Sequence, residues 1–83
     1  MRWWTVRLPF VATGAWGSLY VIDKFQTVVE GPDFAGRPVT RRELPVFRTK
    51  KDGYLVEQLG SGKFVIHAGA EEIRVASDDP VAK

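Results

Sequence analysis

The sequence contains no cysteine and a single histidine. Disulfides, thiolate chemistry and Cys-type zinc sites are excluded together, and a lone His67 cannot found a His-rich metal centre. Long apolar runs are missing too: nothing approaches the roughly 18 residues a membrane span needs. The N-terminal stretch MRWWTVRLPFVATGAWG has the basic and small residues of a signal peptide, but Arg7 interrupts its apolar run, so it reads as a strand of the mature protein. A cytoplasmic chain is the expectation.

Catalytic patterns are equally scarce. Ser18, Ser61 and Ser77 sit in or beside turn-like segments, and none stands in a G-x-S-x-G setting. Gly60-Ser61-Gly62 lacks the following helix that a phosphate cradle uses. His67 has Glu57 and Glu72 as possible acid/base companions, yet a single strand histidine is far more often a surface residue. Glu71, Glu72, Asp78 and Asp79 form the only dense acidic groups. Neighbouring strand residues point to opposite faces, so these carboxylates read as a solvated rim. No enzyme, cofactor, metal ligand or small-molecule substrate is expected.

What the chain does have is alternation. Its 83 residues suit one domain, folding of which buries roughly 60 to 65% of the extended surface. In WWTVRLPFV, Trp4, Val6, Leu8 and Phe10 share one face, with Trp3, Thr5, Arg7 and Pro9 on the other. Pro9 cannot donate to a ladder, which places this strand at an edge or bends it. After the turn ATGAWG, residues 18–30 fit either a helix, by the spacing of Leu19, Ile22, Phe25 and Val29, or a strand, by their β-branched content. Strand is favoured, with a bulge near Asp23 and Lys24. GPDFAGRPVTRRE reads as a long loop, and the Thr40/Glu43 capping-box spacing suggests one short helical turn near residues 40–44.

A meander follows: LPVFRTK, YLVEQL, KFVIHA and EEIRVAS, separated by turns at Asp52-Gly53, Gly60-Ser61-Gly62 and Gly69. A two-residue turn at Asp52-Gly53 sets Val46 against Leu59 and Arg48 against Glu57. A three-residue loop at Gly60–Gly62 sets Val56 against Ile66 and Tyr54 against Ala68. Phe47, Tyr54, Val56, Phe64 and Ile66 then form the core face. The opposite face mixes Val46, Leu55, Leu59 and Val65 with Arg48, Lys50, Glu57, Lys63 and His67. Either the rest of the chain covers it or it binds something. The implied fold is all-β: a small five- or six-stranded antiparallel barrel or strongly curved sheet, SH3-like in general architecture, over residues 1–77. A polar, frayed tail is expected at 78–83.

The net charge of +2 conceals an asymmetry. Residues 1–51 carry nine Lys or Arg against four acids, and residues 52–83 carry three against six. Arg37, Arg41, Arg42, Arg48, Lys50 and Lys51 fall close together, with Phe34, Phe47 and Tyr54 interleaved or adjacent. Guanidinium groups beside stackable rings suit phosphate backbones and unstacked bases. The three tryptophans all lie within the first sixteen residues, and Trp3 is the candidate anchor for a partner. The lead expectation is therefore a binding module whose segment 37–51, with Trp3, engages nucleic acid or an acidic protein surface. The alternative is a small inhibitor or accessory subunit docking through Trp3, Val46, Leu55, Leu59 and Val65, a surface that also suits a homodimer. Steep salt dependence distinguishes the first from the second.

Overall fold

A computed structural model describes residues 1–83, and nearly every segment of the chain is strand or turn. The strands are β1 (Arg2–Thr13), β2 (Leu19–Pro32), β3 (Pro38–Arg42), β4 (Val46–Thr49), β5 (Leu55–Gly60), β6 (Lys63–Ala68) and β7 (Glu71–Ala76). All pair antiparallel in the order β1-β7-β6-β5-β4-β2, and β1 pairs back onto β2, so six strands close a barrel. β3 lies outside it, on the far half of β2.

Residues 19–30 are strand throughout, and the register of the β1–β2 hairpin runs unbroken from Thr13↔Leu19 to Arg2↔Glu30. There is accordingly no bulge at Asp23 and Lys24. What happens instead is a change of partner: Ile22–Phe25 pair with β4, and Val28–Pro32 pair with β3. Beyond that switch, β1, β2 and β3 leave the barrel as a three-stranded arm. The chain extends 53 Å in its longest dimension, and its radius of gyration of 15.4 Å exceeds the roughly 12 Å of a compact chain this long.

The segment expected to be a long loop is mostly this arm. Asp33 makes the β2–β3 turn: its Oδ1 accepts from the N–H groups of Ala35 and Arg37, and Gly36 supplies the positive φ of 78°. No helical turn forms near 40–44. Thr40 pairs with Glu30 in the ladder, so Thr40 and Glu43 make no capping box, because strand pairing satisfies the same backbone groups.

Inside the barrel, Phe10, Ala12, Ile22, Phe47, Val56, Phe64, Ile66, Val75 and Ala82 form one core cluster. Phe64 meets Phe10 and Phe47 at ring-centroid separations of 5.3 and 5.0 Å. Two registers differ from the sequence expectation. The β4–β5 loop spans Lys50–Gly53, so Phe47 faces Val56 and Arg48 faces Leu55. Thr49 at its base accepts the Tyr54 N–H on its hydroxyl, which makes four residues close better than two. Between β5 and β6 the expected pairing holds from Leu55↔His67 to Gln58↔Phe64, then slips so that Gly60 meets Lys63. The turn is thus Ser61-Gly62 with a bulge before it. Tyr54, expected in the core, is exposed at the barrel rim.

The two barrel ends differ. The last residues are no frayed tail: Asp79 accepts the Val81 N–H, Pro80–Ala82 forms a 3-10 turn, and Ala82 is 1% exposed within the core. Gly62 N–H donates to the Ala82 carbonyl at 3.1 Å, and Lys24 Nζ reaches the Val81 carbonyl at 3.5 Å. That plug closes the end from which the arm projects. No helix of the structure is long and apolar enough to cross a membrane.

Candidate functional site

Because the side chains of a strand alternate, the arm has two unlike faces. One continues the barrel interior outward, with Trp4, Val6, Leu8 and Val28 following Phe10. Arg42 stands across from Val28 on that face, and the Arg2 guanidinium lies 5.4 Å from the Trp4 ring centroid. The other face continues the outside of the barrel. There Trp3, Val29 and Arg41 form one cross-strand row, Thr5 and Thr27 a second, joined by their hydroxyls at 3.0 Å, and Arg7 and Phe25 a third that runs on to Val46. Trp3 is 70% exposed.

The basic segment 37–51 is continuous in sequence and divided in space. Arg37 sits at the arm's tip, its Nε 3.7 Å from Asp33. Arg41 and Arg42 are on opposite faces of β3. Arg48 is on the barrel's outside, donating to the Gly53 carbonyl at 3.2 Å. Lys50, Lys51 and Tyr54 gather at the far mouth of the barrel. Val21, whose carbonyl accepts the Lys50 N–H, and Gly31, which pairs with Val39, are ten residues apart on β2. At about 3.3 Å per residue this separates the two basic groups by about 33 Å. Basic residues nevertheless outnumber acids on the arm and its root: residues 1–9 and 26–43 hold Arg2, Arg7, Arg37, Arg41 and Arg42 against Glu30, Asp33 and Glu43.

The apolar docking face expected from the sequence is smaller than anticipated. Of the two alternatives for this face, full coverage is not what forms: Val46, Leu55 and Leu59 are each about half exposed, with Phe25 of β2 paired beside Val46. Val65 is 3% exposed and is removed from that surface. Its ladder neighbours Glu57 and Arg74 flank it on both sides, and long side chains of that kind cover apolar groups with their stems. His67 Nε2 lies 3.2 Å from Glu57 Oε1 on the same outer surface.

Sequence reasoning misses two features. The arm is hidden in segments that look like a strand and a loop, although the alternation of 2–9 and 24–31 in equal lengths is its signal. Asp23 reads in the sequence only as a bulge position, yet it is 5% exposed and its Oδ1 has no hydrogen-bond partner. Its ladder neighbours explain this: Pro9 has no N–H, and Arg48 donates elsewhere. One carboxylate oxygen buried without a hydrogen bond is costly, so Asp23→Asn, which removes the charge, is expected to raise stability by up to about 1 kcal/mol. A urea midpoint that falls in this variant would show that Arg48 holds the carboxylate through its field alone. No protein-family model matches the chain, and no curated protein and no solved structure shows significant similarity to it.

Proposed function

We propose that this chain is a non-enzymatic binding module that holds an anionic polymer, a nucleic-acid strand, on the outer face of its arm. The observation that carries the reading is the row Trp3–Val29–Arg41 with Arg7 further along the same face. An exposed indole offers a stacking surface worth about 1–3 kcal/mol per base, and guanidinium groups at the other end of its row and four residues along its own strand are available to phosphates. The projecting three-stranded sheet presents these groups on an open surface, beside a shallow groove formed by Pro32, Asp33, Phe34, Val39 and Arg41, which suits an extended partner.

Titration of single- and double-stranded oligonucleotides, followed by tryptophan fluorescence, tests it. Binding is expected at low salt, with log affinity falling against log salt by about 0.7 for each phosphate neutralised on a single strand. Arg41→Ala and Trp3→Ala weaken it, whereas Arg42→Ala, on the opposite face, leaves it within about twofold. Equal losses from Arg41→Ala and Arg42→Ala would remove the assignment to this face. Absence of binding to either form at low salt ends the nucleic-acid reading.

One observation supports docking to a protein instead. The row Arg7–Phe25–Val46 joins the arm to exposed Leu55 on the barrel, giving a continuous apolar and basic surface that an acidic protein partner would match. Binding of that kind falls with salt less steeply than binding to a phosphate backbone does, because part of it is apolar, and it is weakened by Val46→Ala or Leu55→Ala.

A further inference from the structure

The end of the barrel away from the arm has no plug. In its place is a cavity of about 620 Å³, within the range of small-ligand sites, and barrel mouths are recurrent places for them. Its floor reaches the core at Ile66, which is 1% exposed, with Ile73 and Tyr20 half-buried on the walls. Buried Thr49 also lines it; its hydroxyl oxygen accepts the Tyr54 N–H, so its proton is free to be donated. Lys50 and Lys51 stand on the rim. Neither ammonium forms an ion pair, although Asp52 is adjacent. The site is therefore apolar within and net positive at its edge.

We infer that this mouth binds a small anionic amphiphile: one acyl or aryl body in the cavity, and one singly charged head, a carboxylate or a phosphodiester, at Lys50 and Lys51. An apolar body displaces water from the Ile66, Ile73 and Tyr20 walls, which no side chain of the barrel fills. The head keeps its hydration on one side and meets two unpaired lysines on the other, while Asp52 disfavours a doubly charged head. This site is about one arm's length from the outer face assigned above, so the two bind independently.

Calorimetric titration with decanoate, below its aggregation concentration, is the test, with decanol as the uncharged counterpart. One saturable site per chain is expected for decanoate. Lys50→Gln/Lys51→Gln, which changes only exposed loop side chains, weakens decanoate by about tenfold and decanol by less than twofold. Ile73→Phe, which narrows the cavity, weakens both; if that variant misfolds, a decanoate-dependent rise in the unfolding temperature of the unaltered protein that is lost in the double lysine variant reads out the same site. The inference is overturned if decanoate shows no saturable site, or if the lysine pair and Ile73 leave its affinity unchanged. Co-sedimentation with phosphatidylserine-containing vesicles separates the source of the head group. Vesicle binding without a decanoate site overturns the inference in favour of a tip that docks on a surface.

Discussion

Phe64→Ala is expected to cost about 4 kcal/mol, roughly a third or more of the whole stability of a chain this long. Phe64 is 0% exposed, and its ring touches two others that arrive on different strands, Phe10 from β1 and Phe47 from β4. Removing it takes away a full aromatic side chain and opens a cavity that a closed barrel cannot collapse without breaking ladder bonds. Phe→Ala changes in such places cost about 3–5 kcal/mol. A chain of this length has roughly 4–12 kcal/mol in total. Much of that must come from this one cluster, because the arm is a single layer and only 15 of 83 residues are buried. Leu59→Ala, on the exposed outer face, is the comparison and should change stability by no more than about 0.5–1 kcal/mol. Urea unfolding followed by circular dichroism measures both. A Phe64→Ala loss below about 1 kcal/mol would mean that the three rings do not hold the barrel.

The barrel interior was legible in the sequence for a reason that the register differences make plain. Pairing Phe47 with Val56 instead of Gln58 is a slip of two residues, and a period-2 strand keeps its faces through any even slip. Phe47, Val56, Phe64 and Ile66 therefore point inward whichever loop closes the hairpin. Tyr54 keeps the inward direction, lining the mouth with Thr49 and Ile66, and is exposed because the barrel ends there. The arm was harder to see. A strand of fourteen residues that serves β4 with one part and β3 with another leaves no mark at the switch, since both parts alternate in the same way.

The candidate surfaces were legible as residue types and not as places. Arg41 and Lys50 are nine residues apart in the chain, and their separation in space comes from β3 and β4 pairing with different ends of β2. Arg41 and Arg42 are neighbours that face opposite ways once β3 is a strand. Both facts depend on long-range pairing, which local spacing does not encode. The alternation of β1 puts Trp3 and Trp4 on opposite faces, but neither is core, because the arm leaves Trp4, Val6 and Leu8 exposed on the inner face as well. The C-terminal turn was not legible either, since its apolar content is only Val81 and Ala82. Burial of so small a side chain as Ala82 depends on a hole of matching size at the barrel's end.

Gly62→Ala is expected to cost about 3 kcal/mol, which is large for the addition of one methyl group. Gly62 has φ +73°, where an L side chain is strained by about 1–2 kcal/mol. A Cβ there would also stand 2.5 Å from the Ser77 carbonyl oxygen, a backbone atom that cannot swing aside. The backbone around it is tied on both sides: Gly62 N–H donates to Ala82, and Ser77 N–H donates to the Gly62 carbonyl at 2.8 Å. Relieving the clash therefore pulls on both bonds and loosens the Pro80–Ala82 turn that stops the barrel. Gly53 provides the control, with φ +69° and nothing within 4 Å of the place a methyl group would take, so Gly53→Ala carries the conformational strain alone and should cost about 1 kcal/mol. The difference between the two variants in urea unfolding isolates the contact with Ser77. Amide exchange at Ala82 adds a local reading, because only Gly62→Ala should accelerate it ahead of global unfolding. Equal costs for the two glycines would mean that the C-terminal turn is not held by this latch.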